Sequence, residues 1–391
     1  MLQLNDTQKA IVETVREFVA KEVIPVADDM EHRDEYPEKI VEQMRQLGLF
    51  GLTVPEEYGG IGESVTAYAL TVVELARGWM SLSGVLNTHF MGCYLIGKFG
   101  TDEQKQSFLP RMATGELRAA LAMSEPEAGS DVQAIRTKAI KDGDHYVVNG
   151  QKMWLTNGLR AGIVMTLVKT DPDADPRHAG MSMLIVEKQP GEPRPAPGLD
   201  VGKNIEKMGY KGVETTEMTF SDYRIPTSSL LGTEEGQGFR QVLDGIEVGR
   251  VNVAARAMGV ATRAFEEAIR YAQQRKAFGK AIAQHQAIQL HLAEMATTLE
   301  AAKLMLYSAA EKKSAGERSD LEAAMAKLFA SEACHEIVTK SLRVHGGYGY
   351  SKEFTIERLY RDAPFLLIGE GTSEIQKTVI ARRLLEKHKL Q

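Results

Sequence analysis

Residues 146–156 read YVVNGQKMWLT. The run is rich in β-branched and aromatic residues, and Asn149-Gly150 supplies the residue types that accept the positive φ angles of a tight turn. It predicts a β-hairpin. Working outward, IVMTLV (163–168), MSMLIV (181–186) and EMTFSDYRI (217–225) have the same β-rich texture. TDPDADPRHAG (170–180) and QPGEPRPAPGLDVG (189–202) separate them and read as loops from their Pro and Gly content. Residues 119–232 therefore form a small all-β domain.

On both sides the period changes. In residues 1–118 apolar side chains recur at helical spacing: Ile11, Val15, Phe18 and Val19, then Leu70, Val73 and Ala76, then Tyr94, Leu95 and Phe99. Asn5 and Thr101 are N-cap candidates, and VPEEYGGIGES (54–64) is a turn-rich linker. Beyond the strands, residues 233–391 carry long amphipathic segments at 239–273, 282–315, 321–343 and 374–387, which predict a four-helix bundle. Strands and helices do not alternate, so a doubly wound nucleotide fold is not expected. The fold class is α+β: a helical N-terminal domain, a middle β-barrel or sandwich-like domain, and a C-terminal bundle.

The 391 residues suffice for several domains with proper cores, and 43% hydrophobic with 26% charged content is ordinary for a soluble protein. A formal net charge of -6 argues against general nucleic-acid binding and leaves room for local basic patches. Cys93 and Cys334 have neither a CxxC nor a metal-ligand context, and burial is expected for both. No metal site is expected. The first residues, MLQLNDTQKAIVETVREF, read as a helix and not as a targeting segment, and no apolar run is long enough to span a bilayer. A cytoplasmic location is expected.

Five stretches have residue types suited to ligands, each with a plainer alternative. AMSEPEAGSD (122–131) reads as a surface turn or as a loop bringing N–H and hydroxyl groups to a phosphate or heterocycle. Trp154 and Thr156, two apart on one strand, read as sheet residues or as a stacking and hydrogen-bonding pair for a flat ring. QQRKAFGKAIAQHQ (273–286) offers Arg275, Phe278, His285 and Gln286, as a solvated helix end or a pyrophosphate site. HGGYGY (345–350) reads as a helix C-cap or as backbone that another molecule approaches closely. Glu247 and Arg250 stand one helical turn apart, as a surface ion pair or with the cation facing an anionic ligand. GGIG and GGYG lack the dinucleotide spacing, and Walker, HExxH and GxSxG motifs are absent.

Together PEEYGG (55–60), AMSEPEAGSD, GQKMWLTNG (150–158), RKAFGK (275–280), HGGYGY and GEGTSEIQ (369–376) resemble the acyl-CoA dehydrogenase family, in that family's order and over essentially the whole chain. The resemblance implies a homotetramer with FAD near a subunit interface, an acyl-CoA substrate and an electron-transfer flavoprotein as electron acceptor. It implies that Met123, Ser124, Trp154 and Thr156 line the flavin, with Thr372 and Glu374 completing the pocket. Ser130 would lie near the phosphates or the acyl-CoA. Arg275, Phe278, His285, Gln286, Arg343, His345, Gly346 and Gly347 would hold the FAD of a neighbouring subunit. Ser130, Glu247, Arg250 and Gly371 are the substrate-binding candidates.

Glu370, between two glycines in LLIGEGTSEIQK (366–377), matches the family's catalytic base, which takes an α-proton while the β-hydride passes to flavin, giving a trans-2-enoyl-CoA. A capping box of Ser373 and Gln376 is expected to start the next helix. Two positions depart from the family pattern: Arg343 stands where glutamine is usual, and Gly249 stands where some members carry the base on a helix. Competing functions on this fold are a flavin oxidase or monooxygenase and a non-catalytic acyl-CoA-binding protein. The helix around SLSGVLNTHFMGCYLIGKFG (81–100) is expected to line the acyl pocket, which His89 and Phe90 would shorten if they point inward.

Overall fold

The structure is a computed structural model, and it describes residues 4–389. Six helices come first: α1 (Asp6–Phe18), α2 (Ile24–His32), α3 (Glu38–Gln46), α4 (Val65–Gly78), α5 (Met80–Phe99) and α6 (Asp102–Ala113). The strands β1 (Ala119–Ala122), β2 (Lys138–Asp142), β3 (His145–Thr156), β4 (Ile163–Lys169), β5 (Met181–Glu187), β6 (Leu199–Val201) and β7 (Thr215–Pro226) follow. Then come α7 (Gly238–Gln274), a two-stranded ribbon of β8 (Lys276–Ala277) and β9 (Lys280–Ala281), α8 (Gln286–Ser314), α9 (Asp320–His345), α10 (Ile356–Ile368) and α11 (Ser373–Lys387).

Asn5 and Thr101 cap α1 and α6 in full capping boxes with Gln8 and Gln104, as their residue types predict. The seven strands form one sheet in the order β1-β4-β2-β3-β7-β6, with β5 pairing β4. The expected hairpin at Asn149-Gly150 is not there: β3 runs straight through it. Asn149 instead exchanges two hydrogen bonds with Asp222 on β7, and between the pairs Val148–Tyr223 and Gly150–Phe220 β7 carries one residue more than β3, so a β-bulge at Ser221-Asp222 faces Asn149. The tight turn lies earlier, at Gly143-Asp144 between β2 and β3, with glycine in the first central position.

Helix α5 is buried almost all round, because it lies between the sheet and α7. It approaches β1 so closely that a Cβ on Gly92 would stand 2.5 Å from the Ala119 methyl. The long α7 packs on α4, α5, α8, α9 and α10. The pattern reading omitted α10, which carries Pro364 inside it. Both cysteines are buried. Among the described residues, no helix is long and apolar enough to cross a membrane.

Candidate active site

Helix α10 ends at Ile368, and Gly369–Gly371 turn the chain into α11. Glu370 stands in this turn at φ 54°, a left-handed conformation that costs a non-glycine residue about 1–3 kcal/mol and is often tied to function. The turn is gripped on both sides. Gln376 Nε2 donates to the carbonyls of Glu370 (3.3 Å) and Gly371 (3.0 Å), and the buried Lys327 of α9 donates to Gly371 O at 2.8 Å. The expected capping box does not form. Thr372 is the N-cap, its hydroxyl accepting from Ile375 N–H, because Gln376 is occupied with the turn.

The Glu370 carboxylate lies against α5 and α7. Asn87 of α5 donates to Oε1, Arg256 of α7 approaches the same oxygen at 3.7 Å, and buried Oε2 has no partner. Gly249 provides the seat: a Cβ there would stand 1.9 Å from Oε2. Burial raises the Glu370 pKa, against the attraction of Arg256, the Asn87 hydrogen bond, Lys327 and Arg250. Burial in turn pulls Lys327 down to about 8.

Glu370 and Gly371 line a cavity of about 570 Å³, together with Met123, Ser130, Glu247 and Arg250. This gathers the predicted substrate residues from three parts of the chain. Glu247 does not pair with Arg250. It is taken up by Lys313 at 3.1 Å and Ser319 at 2.6 Å, while buried Arg250 Nε has no partner and faces the cavity wall. Beside this site, Met153 N–H donates to Ser124 O, which ties the 122–131 loop to β3. Trp154 is 58% exposed at φ 66°, and Thr156 is half-buried. His89 points away, toward Phe50 O at 3.1 Å, while Phe90 stacks on Tyr68.

A second cavity, of about 900 Å³, lies at the far end of the bundle. Arg275, Phe278, His285, His345, Gly346 and Gly347 line it. Gln286 and Arg343 are exposed and outside its wall, and Thr372 and Glu374 line neither cavity. The residues missed from sequence are Asn87, Tyr210, Arg256 and Lys327. For Asn87, Arg256 and Lys327 the signal was available but weak: each is a polar residue in an apolar or small-residue run, VLNTHF, AARAMG and AMAKLF, whereas Tyr210 in KMGYKG gave none.

Profiles of the acyl-CoA dehydrogenase N-terminal, middle and C-terminal domains match residues 5–116, 120–223 and 236–385. The chain is 41% identical to an acyl-CoA dehydrogenase of Bacillus subtilis over 98% of this chain and 99% of that one. It is 38% identical to the caffeyl-CoA reductase-Etf complex subunit CarC of Acetobacterium woodii, over 99% and 100%. The solved butyryl-CoA dehydrogenase of Megasphaera elsdenii superposes with a TM-score of 0.94 at 34% identity, covering 98% of this chain and 100% of that one. The chain belongs to the acyl-CoA dehydrogenase family. It is an oxidoreductase, and its cofactor is FAD. The second cavity fits such a group: a Cβ on Gly346 or Gly347 would meet nothing within 4 Å, and the Phe278 ring is 95% exposed beside Arg275.

Proposed function

We propose that the enzyme removes the α-proton and β-hydride of an acyl-CoA thioester, giving a trans-2-enoyl-CoA, with Glu370 as the base. The observation that carries this reading is the Glu370 carboxylate: it sits at the cavity wall on a left-handed turn, with one oxygen unpaired and its pKa raised by burial. A thioester α-proton is weakly acidic, so a carboxylate needs both heightened basicity and a polarised carbonyl. Glu370 supplies the first, and its own backbone N–H serves the second. Gln376 and Lys327 hold the turn so that side chain and amide keep their aim. Bound FAD supplies the hydride acceptor. Met123, Ser124, Trp154 and Thr156 would bound its ring. Arg275, Phe278, His285 and the His345–Gly347 turn would hold the rest, across a subunit interface of a homotetramer. Arg250 faces the thioester end of the substrate. The CarC relative, named as part of an Etf complex, supports electron-transfer flavoprotein as the acceptor. The location proposed is the cytoplasm.

The test is anaerobic mixing of the FAD-loaded enzyme with saturated acyl-CoAs. Bleaching of the flavin absorbance with formation of enoyl-CoA, and slow reoxidation in air, is the expected result. Rapid oxygen consumption, or no bleaching with any acyl-CoA, overturns the reading.

A further inference from the structure

Arg256 is a buried cation beside the base, and the dehydrogenation reading gives it no role. It lies two turns along α7 from Gly249, with Asn252 between them on the same side. It is 2% exposed. Nε donates to Asn252 Oδ1 at 2.6 Å and Nη1 to the Tyr210 hydroxyl at 3.1 Å. Nη2 reaches toward Glu370 Oε1 at 3.7 Å, which is an ion-pair distance and too long for a hydrogen bond. Asn252 is itself fixed by donating to the Tyr68 hydroxyl at 2.6 Å. The guanidinium lies 5.5 Å from the Tyr210 ring and 5.7 Å from that of Phe365. Two of its nitrogens are thus anchored, and the third stands beside the carboxylate of the base, on the protein side of the cavity that Glu370 lines.

A site for an alkyl tail ends in apolar side chains, because hydrocarbon set against a buried polar group leaves that group without a partner. Here the neighbourhood of the base holds a guanidinium, two carboxamides and two phenols. Arg256, Lys327 and Arg250 all act on the single carboxylate of Glu370, with Glu247 and Asp320 facing Arg250 on its other side. The charge distribution accepts a further anion.

We propose that Arg256 sets substrate choice by pairing with a carboxylate at the far end of the acyl group, so that the preferred substrates are CoA thioesters of short dicarboxylic acids. The inference rests on Glu370 addressing Cα. With Nη2 3.7 Å from Oε1, the oxygen beside the unpaired one, and a charge-assisted bond of about 2.8 Å, the carboxylate falls about two or three carbons beyond Cα. Succinyl and glutaryl groups have that length. Pairing also draws Arg256 away from Glu370, removing an influence that holds the base's pKa down. The fitting substrate strengthens the base that acts on it.

The experiment compares succinyl- and glutaryl-CoA with butyryl- and pentanoyl-CoA on the FAD-loaded enzyme. Single-turnover flavin reduction is followed without oxygen, and binding to the Glu370→Gln holoenzyme is measured by calorimetry. Wild type should favour a dicarboxylate over its straight-chain counterpart by about tenfold or more in both readouts. Arg256→Gln should lower reduction by the dicarboxylate about a hundredfold and reverse the preference, and Arg256→Lys should restore part of it. Equal or better reduction and binding of butyryl- and pentanoyl-CoA by wild type overturns the proposal while leaving the dehydrogenation reading intact. Equal losses on both substrate types in Arg256→Gln also overturn it, since that is the mark of a residue that only positions Glu370. Selective binding of dicarboxylates with no bleaching supports the carboxylate site and removes the dehydrogenation reading. Should the variants lose FAD, the wild-type panel decides by itself.

Discussion

The 122–131 loop and the 369–371 turn each carry a glutamate into a largely enclosed place, and the two carboxylates behave oppositely. Glu125 is 8% exposed and saturated with donors: Lys152 Nζ at 2.9 Å, Thr137 N at 2.9 Å and Arg136 N at 2.6 Å. Burial is the largest single influence on it and pushes its pKa up, but Lys152 and the hydrogen bonds together outweigh burial and hold it below the usual carboxylate range. Glu370 has Asn87 and a distant Arg256, one oxygen is unpaired, and burial wins. Burial alone does not make a base. The supply of donors decides whether a buried carboxylate is a structural anchor or a group ready to take a proton.

The largest effect should come from blunting the second glutamate. Glu370→Gln keeps size and removes most basicity, and base catalysis contributes about 10²–10⁴-fold. Single-turnover reduction should fall at least that far while FAD and acyl-CoA still bind. Near-normal reduction would mean the wrong base has been named. Moving the base onto α7 sharpens the point. Gly249→Glu placed beside glutamine at position 370 has no room, because a Cβ at 249 already falls 1.9 Å from the present Oε2. Recovery is expected only when residue 370 is also made small, as in Gly249→Glu with Glu370→Gly.

The first glutamate should fail in stability instead. Lys152→Met leaves Glu125 buried without its cation. Breaking a buried pair on one side costs about 3–5 kcal/mol, readable as a lower denaturation midpoint. Replacing both residues, Lys152→Met with Glu125→Gln, should recover part of that loss. An unchanged midpoint in the single variant would remove Glu125 from the structural class.

Much of the architecture was legible because period is a local property. The α–β–α order, both N-caps and the candidate ligand stretches at 122–131, 273–286 and 345–350 all lie in contiguous sequence. Asn149-Gly150 misled because the pairing that decides it comes from Asp222 on another strand. Asn87, Arg256 and Lys327 stayed hidden for the same reason. Each sits in an ordinary helical run, and only the packing of α5, α7 and α9 around one turn brings them to Glu370.

A smaller effect is expected at the second cavity. Arg275 lies 5.6 Å from the Tyr348 ring and lines the wall with Gly346 and Gly347. Arg275→Ala should weaken FAD retention about tenfold and lower the melting temperature at limiting FAD but not at excess. Full occupancy at low FAD would place the cofactor's anionic part elsewhere.

The smallest effect separates charge from contact at the turn. Lys327→Met keeps most of the side-chain volume and removes a cation that lowers the Glu370 pKa. Glu370 must be ionised to act, so reduction rises with pH through its pKa. Without Lys327 that pKa goes up, and the rising limb of the pH profile should move to higher pH. Stability carries an independent signature. Burial holds Lys327 at about 8 in the folded chain, against 10.5 for an ordinary lysine. Between those values the unfolded chain binds the extra proton, so this lysine makes stability rise with pH there. Lys152 and Lys188 are also pushed down to about 8 by burial, so the slope in Lys327→Met should fall and not vanish. A limb that stays in place while the stability slope falls would show that Lys327 holds the Gly371 carbonyl without tuning the base.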